Sequence, residues 1–347
     1  MVELVEEILL RLPPEEPMHL FRAAAVYKAW RTMLSDSSSI GFLHRYHKFH
    51  RTPTFGYLHN TYHHPQFIAT TSTPSLSAMP AARNVVWEVL DCRHGRVLMQ
   101  YTYGTSSLVF IIWDPITRAR KHVVVHDRKP NTLTAAVICA IDDCDHLDCH
   151  GGPIDSIVLS YSEFMHWSPS LFIGDALYFT LNGGVSTSTL YLKFDLGSHR
   201  LSMVDTPEVH WDAVAIKAED GGLGFVAVLE DNCIYLWSWK QANDGGCSAN
   251  GTIGGGGRWA RHKAMDLNKL ALLSTSRAPF IQSRVIGYIE GTNTIFINTY
   301  NTGVFTLDLK SSLVPKSSLV RKVEAEGHMH YCILPYTSLY TPSIISF

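Results

Sequence analysis

From Thr52 onward, the chain is a succession of short apolar runs, each ended by a turn. Runs rich in Val, Ile, Phe, Tyr and Trp, such as RVLMQYTY, SLVFIIWD and CIYLWSWK, alternate with Gly, Asn, Asp and Pro. This is the pattern of strands joined by turns. Almost no long helical pattern lies between the runs, so the crossovers that a parallel sheet needs are missing. The sequence therefore predicts an all-β domain over residues 51–347.

One phrase recurs in this region in degenerate form. An apolar strand, an Asp turn and a short basic strand follow one another at 108–125, 189–205 and 303–324. A fourth copy begins at Cys233, keeps the strand and continues into a Gly-rich segment. Degenerate strand hairpins, with roughly 40–50 residues to each unit, indicate the blades of a propeller. The alternative is an ordinary two-sheet β protein with coincidental Asp turns.

Residues 1–50 carry a helical pattern instead. Leu4, Ile8 and Leu12 lie four residues apart and share one helix face, and Leu9 widens that stripe. The prolines at 13 and 14 end this first helix, and the proline at 17 suits the first turn of a second. A third short helix is predicted over 40–50. The apolar side of the second helix consists of Leu20, Ala23, Tyr27, Trp30 and Leu34.

Composition and charge exclude several classes of function. With 46% hydrophobic and 17% charged residues among 347, the chain is expected to pack rather than remain disordered. A net charge of −2 gives no general field for capturing nucleic acid or a membrane surface. The longest apolar runs are too short to span a bilayer, and the acidic N-terminus lacks a signal-peptide pattern. Seven scattered cysteines favour a reducing compartment, cytoplasm and/or nucleus.

Both parts of the chain resemble one plant family. Residues 3–34 resemble an F-box, with Tyr27 where the family usually has Cys. The remainder resembles the β-propeller that follows the F-box in the large grass families, in phrases such as VLDCRHGRVLM, SPSLFIGDALYF and ILPYTSLYTP. The expected fold is a small all-α helical hairpin followed by an all-β, kelch-like propeller with degenerate blades. The F-box likeness is carried by Leu4, Glu7, Ile8, Leu9, Arg11, Leu12, Pro13, Leu20, Val26, Lys28, Trp30 and Arg31.

This resemblance implies two domains and a role in ubiquitination. Residues 1–50 would be an F-box and linker helix, N-terminally incomplete because the leading Leu-Pro pair of the motif is missing, and 51–347 a substrate-recognition propeller. The implied protein is a non-enzymatic receptor subunit of an SCF-type cullin–RING ubiquitin ligase, without cofactor. It would bind a Skp-type adaptor, and through it cullin, and an unknown protein substrate. The implied adaptor-binding residues are Leu4, Ile8, Leu9, Leu12, Pro13, Leu20, Val26, Trp30 and Leu34.

The residues themselves leave alternatives open. A helical hairpin this small is not expected to form a core alone, so its apolar face should pack in a partner's groove or on its own propeller. The other class of function is a propeller enzyme or metal-dependent hydrolase with a site in the central channel. Neither Gly-x-Ser-x-Gly nor His-Glu-x-x-His occurs in the chain.

Two clusters of metal-binding residue types call for a separate interpretation. One cluster, CDHLDCH at 144–150, resembles half of a zinc site but lacks a second pair at a finger-like distance, which favours a polar loop. His44, His47 and His50, three apart, favour a solvated helix face over a metal site. We expect no bound metal.

Three further features are expected to be structural. The Gly-rich stretch at 245–257 lacks the Gly-Lys-Ser/Thr of a phosphate loop and is expected to be a flexible connection. Asp114, Asp195 and Asp308 recur at equivalent turns, where a carboxylate bonds nearby N–H groups. The segments 52–60 and 331–342 are predicted to meet in one blade or in adjacent blades, because a propeller must cover its first and last edges.

Overall fold

A computed structural model describes most of the chain. The described residues are 2–14, 16, 18–34, 41–50, 53–60, 65–69, 87–103, 107–115, 118–125, 133–139, 154–160, 169–182, 189–204, 207, 213–241, 257–267, 283–299, 303–309, 320–324 and 332–338. The chain divides into two compact units. The first consists of Met1–Pro130, Ala135–Leu159 and Pro335–Phe347, and the second of Asn131–Thr134 and Ser160–Leu334.

The first unit begins with four short helices. They are α1 (Val2–Leu10), α2 (Met18–Val26), α3 (Lys28–Leu34) and α4 (Phe42–Phe49). The single second helix expected through Leu34 is therefore wrong, since it breaks at Tyr27. The Tyr27 carbonyl accepts from the backbone N–H groups of both Trp30 and Arg31, each at 3.0 Å, so a new helix starts there. No helix within the described ranges is both long and apolar enough to cross a membrane.

The first unit continues with β-strands. One four-stranded sheet has the order β3-β4-β5-β6, and a three-stranded sheet has the order β2-β1-β21. A further pair, β7 and β8, lies for the most part in this unit. The strands are β1 (Thr54–His59), β2 (Gln66–Ala69), β3 (Trp87–Arg93), β4 (Arg96–Tyr103), β5 (Ser107–Trp113), β6 (Arg120–Val125), β7 (Leu133–Cys139), β8 (Ile154–Ser160) and β21 (Leu334–Thr337).

The second unit consists of three four-stranded antiparallel sheets. Their orders are β12-β11-β10-β9, β13-β14-β15-β16 and β17-β18-β19-β20. The strands are β9 (Leu171–Ile173), β10 (Ala176–Asn182), β11 (Thr189–Asp195), β12 (Arg200–Val204), β13 (Val214–Lys217), β14 (Leu223–Val228), β15 (Cys233–Gln241), β16 (Gly257–Asp266), β17 (Ser283–Tyr288), β18 (Thr294–Thr299), β19 (Gly303–Asp308) and β20 (Val320–Glu324).

These sheets are blades of the β-propeller type, because consecutive strands are neighbours in each four-stranded sheet. The recurring sequence phrase has a single structural meaning. In its three full copies it is the third and fourth strand of a blade, and in the fourth copy it is the third strand, with the fourth strand after the Gly-rich segment. The pairs are β5 with β6, β11 with β12, β15 with β16, and β19 with β20. The predicted class, mostly strands in propeller blades after short helices, is thereby confirmed.

The basic half of the phrase lies on the outermost strand of each of these sheets. Arg120, Lys121, Arg200 and Arg258 on such strands are all exposed. An edge strand presents unpaired N–H and C=O groups, and charged side chains discourage it from pairing with another chain. The recurrence of basic side chains on these outermost strands is therefore explained by protection of the sheet edge, without a ligand.

The last described strand, β21, pairs beside β1 in the sheet β2-β1-β21. The predicted meeting of segments 52–60 and 331–342 is confirmed for their described residues. Tyr336 anchors this arrangement. Its side chain is fully buried, its ring lies 6.5 Å from that of Phe55 and 6.0 Å from that of Phe67, and its hydroxyl donates to the Gly95 carbonyl at 3.3 Å.

Replacing Tyr336 should show how much β21 contributes to stability. We expect Tyr336→Ala to cost about 3–5 kcal/mol, because it removes a buried ring, and Tyr336→Phe about 1 kcal/mol, because it removes one hydrogen bond. Urea denaturation measures both. Tyr27→Ala, at a ring that is 59% exposed, is the matched control. Equal costs for Tyr336→Ala and Tyr27→Ala would contradict the assignment.

Buried polar groups tie the strands of the first unit together. The Asp91 carboxylate is buried and accepts from the N–H groups of Cys92 at 3.0 Å and Val137 at 2.9 Å, and from Arg93 at 3.2 Å. Asn60 bonds both backbone groups of Val89, at 2.9 and 2.8 Å. The bonds of Asp91 join β3 to β7, and those of Asn60 join the end of β1 to β3. The buried Asp91 carboxylate thus has the partners that its desolvation requires.

The second unit packs its sheets around one apolar core. Phe225, Ile234 and Ile295 are fully buried within it. Tyr191 joins two sheets, because its buried hydroxyl donates to the Ala213 carbonyl at 2.6 Å. Tyr288 lies at the margin of the core, where burial and then the Glu290 carboxylate raise the pKa of its phenol to about 12.

The raised pKa of Tyr288 predicts a loss of stability in alkali. The folded state holds the phenolic proton more tightly than the unfolded state, whose pKa is about 10. The stabilisation is therefore complete below pH 10 and is lost as the pH rises towards 12, by up to about 1.4 kcal/mol per pH unit for one proton. Unfolding free energies measured between pH 9 and 12 should fall less steeply in Tyr288→Phe. An unchanged slope would contradict the assignment.

Candidate functional site

The four helices form a small core of their own. Buried apolar side chains from all four helices meet in one cluster, with relative exposures of 0–6%. The expectation that the N-terminal hairpin needs a partner or a blade to cover its apolar face is therefore wrong in part. The cluster consists of Leu9, Leu10, Leu20, Ala24, Leu34, Phe42 and Tyr46.

The helix predicted over 40–50 is present as α4, but the sequence analysis did not predict that α4 completes the helical core. Phe42 and Tyr46 stack with ring centroids 5.8 Å apart and face the other helices. His47 is only 1% exposed, so the interpretation of this helix as a solvated histidine face is wrong at its centre. His44 and His50 are half-buried. The apolar and aromatic residues of α4, which alternate in sequence with histidines and basic residues, complete the helical core.

Side chains of α4 also satisfy the end of α1. The Tyr46 hydroxyl donates to the Leu12 carbonyl at 2.8 Å, and His50 Nε2 donates to the Leu10 carbonyl at 2.7 Å. The last carbonyls of a helix have no partner within it, and prolines at 13 and 14 prevent the helix from continuing. These two bonds fix α4 against α1 and so fix which face of α1 points inward.

The residues predicted to bind an adaptor fall into two groups. Leu9, Leu20 and Leu34 are buried in the helical core, and Leu12 and Trp30 are half-buried. These five support the shape of the helical segment. The Trp30 ring packs edge-on against Tyr27 at 6.1 Å, which places the aromatic pair at the junction of α2 and α3.

The other predicted residues lie on the surface. Leu4 is 69% exposed, Ile8 64% and Val26 74%, and Pro13 is also exposed. Leu4 and Ile8 are one turn apart on α1 and lie on the face opposite to its buried residues. We call Leu4, Ile8 and Val26 the outer apolar residues. They are available for contact with another protein.

Sequence reasoning missed three further exposed apolar side chains in this segment. Met18, Tyr27 and Phe49 are 45%, 59% and 63% exposed. Tyr27 stands at the helix break and Phe49 at the end of α4, positions that depend on the local path of the chain. Helical periodicity assigns Tyr27 to the inner face, because it assumes a continuous helix. The exposure of Tyr27 follows from the helix break, for which the periodic pattern gives no signal.

The other predicted sites have varied outcomes. The CDHLDCH cluster and residues 245–256 of the Gly-rich stretch lie outside the described residues. Within the described part of the chain, no group of three or more His, Cys, Asp or Glu side chains is placed to hold a metal ion.

The Asp195 carboxylate caps its turn as predicted. It accepts from the Ser198 N–H at 2.9 Å and from the Ser198 hydroxyl at 2.8 Å, and these bonds lower the pKa of Asp195. Asp114 forms a buried ion pair with Arg96.

The two groups of leucines should respond differently to the same substitution. Leu34→Ala leaves a cavity in the helical core and should cost about 2–5 kcal/mol, whereas Leu4→Ala should change stability by less than about 0.5 kcal/mol. Hydrogen exchange of the α1–α4 amides in the full chain measures local opening. Protection should fall about 30-fold or more in Leu34→Ala alone. Equal loss in both variants would contradict the division into core and surface.

Comparison with known proteins identifies no family. No protein-family model matches the chain, and no curated protein matches it.

Proposed function

We propose that the chain is the substrate-receptor subunit of an SCF-type cullin–RING ubiquitin ligase. Its helical segment binds a Skp-type adaptor, and through it cullin, while its blades bind the protein to be ubiquitinated. The main support for this proposal is that the helices have two sets of apolar side chains. One set is buried in the helical core, and the other, the outer apolar residues, is exposed.

Packing within the helical core does not explain why the outer apolar residues are apolar. Leu4, Ile8 and Val26 each keep more than half of their surface in water. Burying one such side chain gains about 1.5–3 kcal/mol, while association costs about 4–15 kcal/mol. The outer apolar residues therefore supply part of the binding free energy, and a stable complex needs further contacts around them, for which Met18 and Tyr27 are available.

The blades support a recognition role of the kind that the resemblance to F-box proteins implies. Loops between blade strands diverge without disturbing the sheets, so they can carry specificity for a protein substrate. On this proposal the blades are kelch-like, the protein is an F-box protein of the plant type, and it acts in the cytoplasm and/or nucleus. The subunit performs no chemistry itself. The alternative is a propeller enzyme or metal-dependent hydrolase with a site in the central channel. For its metal-dependent form, no group of three or more His, Cys, Asp or Glu side chains among the described residues is placed to hold a metal ion.

The test is binding to a purified plant Skp-type adaptor. The triple variant Leu4→Ala, Ile8→Ala and Val26→Ala should weaken the adaptor complex about tenfold or more, because each change removes apolar contact area. Calorimetry or surface plasmon resonance gives the dissociation constant. The melting temperature should not change, because these side chains are exposed.

The matched control is Leu201→Ala with Met203→Ala on β12, which are 51% and 50% exposed but lie in the second unit. This variant should bind the adaptor as the unchanged chain does. The proposal is wrong if the unchanged chain does not bind the adaptor, or if the triple variant binds equally well.

A further inference from the structure

The second unit contains an open cavity between two of its blades. The cavity has a volume of about 420 Å³ and is lined by β13, β15 and β16 of one sheet and by β17 and the turn after it in the next. Ligand pockets commonly measure about 300–1,000 Å³. The space is sufficient for one long side chain and part of its neighbour.

One row of the sheet beside the cavity carries small residues. Gly224 on β14 pairs with Ser238 on β15, and Ser238 pairs with Ala260 on β16. Paired residues lie on the same face of a sheet, and Ser238, at the centre of this row, lines the cavity. A Cβ atom at Gly224 would lie 2.9 Å from the Trp237 carbonyl oxygen, which explains why glycine occupies this position.

The walls of the cavity are apolar. Ile216, Leu236, Trp237 and Leu309 line it, and the larger part of its surface is apolar. The Tyr288 ring adds an aromatic wall, and its hydroxyl donates to the Thr292 carbonyl at 2.8 Å. These walls suit the methylene groups of a long side chain.

The mouth of the cavity is acidic. Glu219 and Asp220 are exposed on the turn between β13 and β14 and line the cavity, together with one lysine, Lys217. Neither carboxylate forms an ion pair within the ranges that the structure describes. Glu290 is close enough to raise the pKa of Tyr288, so a third carboxylate adds to the field. Three carboxylates thus face one ammonium group and the imidazole of His262, which also lines the cavity. The carboxylates outnumber the basic groups, and the site attracts cations.

We propose that this cavity binds an arginine or lysine side chain from an extended segment of a partner protein. The methylene stem packs on the apolar walls, and the cationic head reaches the Glu219 and Asp220 carboxylates, as long basic side chains do at apolar surfaces with a polar margin. On the proposed function, on which this inference rests for the partner's identity, that segment belongs to the protein to be ubiquitinated. Nucleic acid is disfavoured because its phosphates would be repelled by the same carboxylates.

The probe is a random heptapeptide display library, selected on the immobilised full chain. Selected peptides should share an Arg or Lys at one fixed position. Each is then synthesised in two forms, with the basic residue and with neutral citrulline or norleucine in its place, and both are titrated by fluorescence anisotropy. The basic form should bind about tenfold tighter, and its affinity should fall with added salt.

Three variants locate the binding site. Glu219→Gln and Asp220→Asn should each weaken the basic peptide about threefold to tenfold. Asparagine keeps the acceptor for the Gly222 N–H, which Asp220 Oδ1 now binds at 3.0 Å, so the turn is retained. Lys217→Gln should strengthen binding about twofold, a gain that loss of structure cannot produce. Glu230→Gln, an exposed carboxylate outside the lining, should change nothing.

Each result decides the proposal. No selected peptide, peptides without a shared basic residue, or equal binding to Glu219→Gln and the unchanged chain would each overturn it. The triple variant at the outer apolar residues should bind the peptide normally. Peptide binding without adaptor binding would therefore refute the ligase role alone, and adaptor binding without peptide binding would refute the cavity's role alone.

Discussion

The open edge of a β-sheet is the constraint on which this structure depends. A strand at an edge leaves N–H and C=O groups without partners, and an unprotected edge invites pairing with another chain. The chain meets this constraint in two ways. Its last described strand, β21, lies against β1, and the outermost strands of the four-stranded sheets carry exposed cations such as Arg120 and Arg258. A local sequence feature and a contact between distant segments thus serve the same physical need.

Buried polar groups add specificity to this arrangement. Asp91 has no exposed surface, and its carboxylate accepts bonds from Cys92, Arg93 and Val137. A buried carboxylate without such partners would cost several kcal/mol, so the group disfavours any packing in which β7 does not reach β3. The Arg96–Asp114 pair adds a second buried ion pair in the same unit. These pairs select one arrangement among the many that apolar strands allow.

The first helix of the chain, α1, has apolar residues on both its buried face and its exposed face. Leu9 and Leu10 of α1 face inward, while Leu4 and Ile8 of the same helix face water. A helix that only had to pack on its neighbours would carry polar residues on its outer face. The proposed adaptor contact would explain the second apolar face, and the cavity proposed to bind a basic side chain lies in the second unit.

The sequence by itself determined the element types and the repeated hairpin. Alternating apolar residues and turn residues are local signals, so the strands, the prolines that end α1 and the third and fourth strands of three blades could all be predicted. Sequence also located the meeting of the first and last strands, because the edge constraint applies to any propeller. The capping role of Asp195 followed from turn chemistry, whereas the ion pair of Asp114 did not, since its partner Arg96 lies on another strand.

Tertiary structure alone decided which apolar residues are core and which are surface. Leu4, Leu9 and Leu34 look equivalent in a periodic pattern, and only the docking of α4, through Tyr46 and His50, assigns Leu9 and Leu34 to the interior. The cavity likewise depends on tertiary structure, because Ile216, Leu236 and Tyr288 line it together from three different strands. Register also decides that Gly224, Ser238 and Ala260 are neighbours, since they meet only when three strands pair. Burial and register are properties of residues far apart in the chain, and a local pattern does not contain them.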